Sequence, residues 1–334
     1  MRRRRTLIFA ALTAGAALTT AACGSSKSTG SPTPATTGGA ATSGAATSGA
    51  ASSGGGAGAG KTIHVASANF DESLILAQVY GQALAAKGYT VDYKELTTRP
   101  VINQAMETGQ IDLTPEYVGS LTIFENKKVN GPDAKKISSG DPEATKTALQ
   151  PLLAKQKLQA LAISPASDEN SYAVTQDFST KNNIKSLSDL GAYKGGKLTI
   201  GGTAECRTYD GCLPGLKREY GINATLKIEK LQSPLLVQDL KQGKVQFAEY
   251  LSSDPTIQTE GLTLLTDDKK LQDADNIVPV VRTEVATPDL TALVDKVSAA
   301  LSLNDLIGLN KSVSVDKMDA ATAAKGFLTS KGLL

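Results

Sequence analysis

Short β-branched segments alternate with amphipathic segments from Lys61 to the C-terminus. Residues 62–67 have the pattern of a strand, and residues 71–87 carry apolar side chains at helical spacing until Gly88 ends the pattern. The same alternation predicts further strands at 90–96, 111–115, 197–203, 224–231 and 246–254, and helices at 100–109, from Glu116, at 213–221 and at 234–245. An alternation of this kind predicts an α/β protein.

The length of this segment predicts two lobes, because single hydrophobic cores usually stop growing at about 250–300 residues. We expect residues 61–163 plus 269–334 to form lobe 1 and residues 164–268 to form lobe 2. A strand at 276–281 would return the chain to lobe 1, and helices at 288–301, 303–313 and 319–332 would complete it. A ligand cleft is expected between the lobes.

The charge balance excludes several classes of function. The chain has 35 Lys and Arg, 33 Asp and Glu, one His and a formal net charge of +2, which is not the balance of a strongly basic nucleic-acid binder. From residue 61 onward there are 30 basic and 33 acidic residues. With His64 alone and three cysteines, a His-rich zinc site is excluded. No cofactor or metal is expected, and the composition points away from most hydrolases.

Residues 1–23 have the pattern of a bacterial signal peptide: four arginines, a short apolar stretch and small residues before Cys23. The LTTAAC ending resembles a lipobox, which predicts lipidation of Cys23; cleavage near Ala22 as a plain secretory signal is the alternative. Residues 24–60 are almost entirely Gly, Ala, Ser and Thr, a composition that cannot bury a core. They are interpreted as a disordered tether, or as a glycosylated stalk with the same spacing role.

Lipidation of Cys23 would leave Cys206 and Cys212 as an even pair in ECRTYDGC. Outside the cytoplasm such a pair is expected to form a disulfide. The bridge would fix the shape of the loop that carries Arg207 and Tyr209.

Four turns, each at a change from strand to helix, hold the candidate binding residues, because ligands of α/β proteins bind at that edge of the sheet. Three of these turns also have a purely structural explanation in place of ligand binding: helix capping for the first, packing for the tyrosine of the second and a surface loop for the fourth. The candidates are Asn69 in the first turn, Tyr117 and Ser120 in the second, Tyr172 in the third, and Arg207 and Tyr209 in the fourth.

Six segments in order resemble the substrate-binding lipoproteins of glycine betaine and choline ABC transporters: ANFDESLILAQVYGQAL, IDLTPEYVGS, SPASDENSYAV, ECRTYDGCLPGL, SSDP and DDKKLQDADNIVPVV. The resemblance implies a type II periplasmic-binding-protein fold, with two lobes that close on a ligand. It also implies a cage of aromatic rings for a trimethylammonium group, which has no N–H to donate and is met by π faces. It assigns Tyr117 and Tyr172 to that cage, Ser120 to a nearby hydroxyl, and Tyr209 and Tyr250 to further walls, with Tyr250 one position out of register.

Two departures from the family pattern concern the carboxylate end of glycine betaine. Ala68 stands where the family often has Lys, and Tyr209 stands where it often has Arg, although Arg207 is two residues away. Each missing charge-assisted contact would be worth about 1.5–3 kcal/mol. A ligand without a carboxylate, such as choline, is therefore favoured, and an aromatic, polyol or amino-acid-like solute stays open.

We expect a monomeric, non-enzymatic solute receptor on the outer face of the cell membrane that delivers its ligand to an ABC permease and its ATPase. A solute sensor is one alternative. An extracytoplasmic enzyme on the same fold is another, which would need an acid–base pair among Glu72, Glu116, Asp168 and Glu205 without any accompanying nucleophile or cofactor loop.

Overall fold

The computed structural model describes residues 58–231 and 233–334. The predicted signal peptide, the predicted lipidation site Cys23 and the linker up to residue 57 lie outside the described residues. No helix within the described ranges is both long and apolar enough to cross a bilayer.

The described strands form two five-stranded sheets, which confirms the predicted α/β class. The strands are β1 Thr62–Ala68, β2 Thr90–Leu96, β3 Leu113–Tyr117, β4 Leu158–Ala160, β5 Asn170–Thr175, β6 Leu198–Gly202, β7 Ala224–Ile228, β8 Phe247–Leu251, β9 Leu262–Leu265 and β10 Ile277–Arg282. The first sheet has the order β2-β1-β3-β10-β4 and the second the order β7-β6-β8-β5-β9. In each sheet, the first three strands in this order run parallel, and the fourth runs antiparallel to both of its neighbours; that strand is β10 in the first sheet and β5 in the second.

Helices cover both sheets. They are α1 Asp71–Ala85, α2 Arg99–Glu107, α3 Val118–Asn130, α4 Pro142–Ala154, α5 Gln176–Asn182, α6 Leu187–Ala192, α7 Leu213–Tyr220, α8 Pro234–Lys241, α9 Thr256–Thr259, α10 Pro288–Ala300, α11 Leu303–Asn310 and α12 Ala320–Ser330. A 3₁₀ turn spans Ala204–Arg207, and a π-helical turn spans Lys311–Val315. All three predicted C-terminal helices are thus shorter than expected, since regular α-helix ends at Ala300, Asn310 and Ser330.

The core of the first lobe is built around α1, whose apolar face packs on the three C-terminal helices. Tyr80 is fully buried there, and its hydroxyl lies 3.0 Å from Ser298 Oγ on α10. The strand predicted at 276–281 is confirmed as β10, which lies between β3 and β4. The C-terminal segment therefore belongs to the same core as the first strands of the domain.

The helix predicted to begin at Glu116 begins instead at Val118. Glu116 and Tyr117 remain in β3, where they pair with Val278 and Ile277 of β10. The prediction of this boundary was wrong because the pairing partner is about 160 residues away in the chain and leaves no local signal. Tyr117 is therefore the last residue of the strand and does not share a helical face with Ser120.

Two extended segments cross between the sheets, one after β4 and one before β10. They pair through an antiparallel bridge between Ser167 and Asn276. The Asp168 N–H also donates to the Asp275 carbonyl at 3.0 Å. This two-segment crossing places acidic side chains at the junction of the lobes.

Candidate ligand-binding cleft

Tyr117 ends β3 and lies at the junction between the lobes. Its hydroxyl donates to Glu72 Oε1 at 2.6 Å. Its ring stacks on Phe70, the residue before α1, with centroids 6.4 Å apart and planes inclined by 26°. Phe70 is 45% exposed, so the aromatic pair keeps a face open to solvent. A ring pair of this kind offers π density to an organic cation.

Glu72 connects this aromatic pair to the second lobe. Its carboxylate is buried and accepts a second hydrogen bond, at Oε2, from Asn310 Nδ2 at 2.5 Å. Asn310 Nδ2 also donates to the Ser253 carbonyl at 3.1 Å. Asn310 Oδ1 is buried without a hydrogen-bond partner among the described residues. The junction thus presents an unsatisfied acceptor beside a buried carboxylate, and buried acceptors normally have a partner.

Further acidic side chains line the crossing segments. Asp168 accepts a hydrogen bond from Ser253 Oγ at 2.6 Å, while burial, followed by the nearby Glu72 carboxylate, raises the pKa of Asp168 to about 7. Burial, followed by the carboxylate of Asp267, raises the pKa of Glu169 to about 7. Burial and the Glu72 carboxylate likewise raise the pKa of the Tyr117 hydroxyl. A cation placed among these groups would favour their charged forms.

The half-buried arginine of this region is already paired. Arg99 Nε donates to both carboxylate oxygens of Glu116 at 3.0 Å, and Nη2 donates to Oε2 at 2.9 Å. Glu116 is buried, and the arginine side chain is 27% exposed, so this bidentate pair is partly shielded from water. The guanidinium charge is therefore largely neutralised within the protein.

The start of α3 is bound by Asp275 from the crossing segment. Asp275 Oδ1 accepts from the backbone N–H groups of Gly119 and Ser120 at 2.9 and 2.8 Å, and Oδ2 accepts from Ser120 Oγ at 2.5 Å. Burial raises the pKa of Asp275, and the hydrogen bonds from Ser120 oppose that rise. Gly119 permits the close approach, because a Cβ there would lie 2.5 Å from the Ala274 carbonyl oxygen. The Ser120 hydroxyl thus donates its hydrogen bond to Asp275.

The predicted disulfide between Cys206 and Cys212 is confirmed. Both cysteines are buried in the core of the second lobe, and Tyr209 on the loop they close is 42% exposed. Asn170 Nδ2 lies 3.4 Å from the Tyr209 hydroxyl. Within the described residues, the two sulfurs and Glu249 form the one group with metal-like spacing, but sulfurs joined to each other supply no thiolate ligand.

Tyr209 lines a cavity of about 370 Å³ between α3 and the disulfide loop, which we call the interlobe pocket. Ile123 and Ile137 provide its apolar wall, and Lys136 lies at its edge with Nζ 2.8 Å from Asp273 Oδ1. A larger surface depression of about 670 Å³ lies elsewhere on the second lobe and contains none of the predicted site residues.

Tyr172 and Tyr250 are placed differently from Tyr117. Tyr172 is 2% exposed, packs edge-on against Phe247 and donates to the Gly211 carbonyl at 2.7 Å. Tyr250 is 1% exposed and packs with Leu236 and other apolar residues in the core around α8. Because strand side chains alternate between faces, one residue of register sends the Tyr250 ring to the core face of β8. The Tyr250 ring therefore lies in the core, whereas Tyr172 lines a cavity of about 210 Å³ together with Glu169 and Leu303.

Asn69 and Arg207 are both exposed. Asn69 does not cap α1, which begins after Phe70 without a side-chain cap. Arg207 ends the 3₁₀ turn beside the buried Cys206. Neither side chain contacts the Tyr117–Glu72 network through a hydrogen bond among the described residues.

Three residues of this network were missed as binding candidates: Phe70, Asp275 and Asn310. Phe70 stood beside Asn69 in a turn already singled out, so its apolar side chain before a helix was an available signal. Asp275 lies in the segment DDKKLQDADNIVPVV but was not singled out within it, and Asn310 lies in a segment with no motif. Only the tertiary fold brings these two residues to Ser120 and Glu72.

A two-lobed α/β protein with a polar and aromatic junction is the architecture of a periplasmic-type solute receptor. Residues 61–330 match the family described as the substrate-binding domain of ABC-type glycine betaine transport systems, and the chain belongs to that family. It is a family of transporter-associated solute-binding proteins, not of enzymes.

Curated relatives cover nearly the same range. The chain is 28% identical over 285 residues to the glycine betaine-binding protein YehZ of Escherichia coli strain K12, spanning 82% of this chain and 92% of that protein. It is 25% identical over 288 residues to a glycine-betaine-binding protein of Pseudomonas aeruginosa PAO1, spanning 82% and 89%. The solved structure of apo YehZ superposes with a TM-score of 0.72, at 26% identity, over 82% of this chain and 99% of that one. These matches confirm the predicted family and the predicted two-lobed type II binding-protein fold.

Proposed function

We propose that this protein captures a quaternary ammonium solute of the choline type at the Tyr117 junction and delivers it to an ABC permease and its ATPase. The solute-binding role follows from the family, and the curated relatives are named as glycine betaine-binding proteins. The lobes would comprise residues 61–163 plus 269–334 and residues 164–268. The protein would act as a monomer, tethered outside the membrane through a lipid on Cys23 and the linker 24–60.

The observation that carries the ligand class is the combination of an open aromatic pair with buried carboxylates. Tyr117 and Phe70 supply π faces, and Glu72 and Asp168 supply negative charge at the same junction. A trimethylammonium group is large, weakly hydrated and cationic, so it is favoured by π faces and by nearby carboxylates alike. A neutral sugar carries no positive charge for the π faces and the carboxylates to attract.

Within this site we assign direct contact to Tyr117, with Phe70 beside it. Tyr209 is proposed as an outer wall across the interlobe pocket. Tyr172 is proposed to support the disulfide loop through its bond to Gly211. Tyr250 is left out of the proposed cage because its ring is in the core of the second lobe.

Isothermal titration of the purified protein with choline, glycine betaine, carnitine, proline, a sugar and a polyol tests this proposal. Saturable binding of at least one quaternary ammonium compound is expected, with a negative heat-capacity change from apolar burial. Binding of proline, sugar or polyol in place of every quaternary compound would refute the ligand class and leave the family assignment untouched.

The lipid anchor has its own test. Cys23→Ala, expressed in a bacterium that processes lipoproteins, should move the protein from the membrane fraction to the soluble fraction, and the parent protein should incorporate labelled palmitate. A parent protein found soluble and unlabelled would instead support cleavage near Ala22 as a plain secreted protein.

A further inference from the structure

Asp275 provides the start of α3 with a carboxylate from the protein itself. Its two oxygens take up the backbone N–H groups of Gly119 and Ser120 and the Ser120 hydroxyl. A helix N-terminus with free N–H groups attracts anions. Here the donors are already paired, so they are not available to the carboxylate of a zwitterionic solute.

The charges around Asp275 also oppose a second carboxylate. Asp168 and Glu169 lie on the neighbouring crossing segment, and the Asp275 carboxylate acts electrostatically on both of them. The half-buried guanidinium of Arg99 is held by Glu116. Lys136, which lines the interlobe pocket with Tyr209, is paired with Asp273. Among the described residues, the junction therefore has an excess of negative charge.

We propose that Asp275 is a specificity-determining residue that makes the Tyr117 junction select organic cations without a carboxylate and reject zwitterions such as glycine betaine. This inference rests on the proposed function, which supplies the quaternary ammonium ligand. Asp275 acts by occupying the donors at the start of α3 and by adding negative charge close to the bound solute. The positive head group is attracted by the same charge, whereas a solute carboxylate is repelled and finds the described donors of Gly119 and Ser120 already paired.

Three solutes separate charge from shape on the unmodified protein. Choline has the cationic head group without a carboxylate, glycine betaine has both, and 3,3-dimethyl-1-butanol is the uncharged isostere of choline. Titration calorimetry should show choline binding at least about tenfold tighter than each of the others, as expected for unit charges within several ångströms in a partly buried site. Equal affinity for choline and glycine betaine would overturn the inference while leaving the proposed function standing.

The variant that tests the residue is Asp275→Asn. The amide keeps the shape and an oxygen for the backbone N–H groups, and its Nδ2 can donate to Ser120 Oγ, so the start of α3 stays bound. The ratio of the glycine betaine Kd to the choline Kd should fall about tenfold or more. The matched control is Asp289→Asn, which removes one exposed carboxylate from the first turn of α10 and should leave the ratio unchanged.

The outcomes are distinct. An unchanged ratio in a folded Asp275→Asn protein, with circular dichroism matching the parent, would overturn the role of Asp275. If that variant does not fold, the comparison of the three solutes on the parent protein still decides whether the junction selects cations. A parent protein that binds none of the three would refute the quaternary ammonium ligand and, with it, this inference.

Discussion

Replacing Tyr117 with Phe separates the two roles that this residue has at the junction. The ring stays beside Phe70, and the hydrogen bond to Glu72 Oε1, 2.6 Å long in the parent, is lost. Glu72 is buried, so one of its oxygens loses a donor while the other keeps Asn310. Loss of one charge-assisted hydrogen bond should lower the free energy of unfolding by about 1.5–3 kcal/mol. For a domain of this size, each kcal/mol lowers Tm by about 2–4 °C.

The same variant should bind choline within about threefold of the parent, because the π face is unchanged. Tyr117→Ala removes the ring as well and should weaken binding by about 1–2 kcal/mol, or roughly five- to thirtyfold. Differential scanning calorimetry measures the first effect and titration calorimetry the second. If Tyr117→Phe loses as much affinity as Tyr117→Ala while Tm stays constant, the hydroxyl is the binding group and the ring argument is refuted.

Three further predictions rest on separate contacts. Gly119→Ala should lower the free energy of unfolding by about 1–3 kcal/mol in urea titrations, because its Cβ overlaps a carbonyl of the crossing segment; an unchanged midpoint would show that the segment moves freely. Replacing Cys206 and Cys212 together by Ala should cost about 2 kcal/mol for so short a closed loop, and a loss below about 0.5 kcal/mol would contradict a stabilising bridge. The pKa of Asp168 and that of Glu169 are raised to about 7, so stability that these groups provide below about pH 4 is lost as the pH rises through 7. In thermal-shift assays, Tm without ligand should therefore fall between pH 5 and 8, and the rise in Tm caused by choline should be larger at pH 8 than at pH 5. Asp168→Asn should reduce both pH dependences. If the variant shows the same two pH dependences as the parent, Asp168 is not their source.

The fold was predictable from the sequence because its signals are local. The pattern at 71–87 and the glycine after it locate α1, which ends at Ala85, within two residues. The β-branched segment at 62–67 locates β1, and the spacing of Cys206 and Cys212 in an exported chain predicts their bridge. In each case the deciding residues lie within about one helix or strand length of each other.

The binding junction was only partly predictable, because most of its contacts are distant in sequence. Ser120 and Asp275 are 155 residues apart, and Glu72 and Asn310 are 238 residues apart. No periodicity links such positions. Tyr117 could be singled out because it stands at a change from strand to helix, but its partner Glu72 was considered only as an acid–base candidate.

The two tyrosines of the second lobe show why residue type alone does not identify a cage. Tyr172 is on β5 and Tyr250 on β8, strands that pair with each other. The Tyr172 hydroxyl donates to the disulfide loop, and Tyr250 faces the core. The face of the sheet on which each side chain lies depends on strand register, and a shift of one residue moves the side chain to the opposite face.

The contact between Asn310 and both lobes links solute binding to lobe geometry. Asn310 holds Glu72 of the first lobe and the Ser253 carbonyl of the second with a single Nδ2, and the backbone immediately after it forms a π-helical turn. Such turns are frequent at functional sites because they displace one side chain from the regular helical position. Glu72 also accepts a hydrogen bond from the Tyr117 hydroxyl, so a movement of the second lobe that displaced Asn310 would change the environment of the ring proposed to contact the solute. We therefore expect solute binding to be coupled to lobe closure through this carboxylate, because a solute can shift a conformational equilibrium only through contacts that differ between the two states.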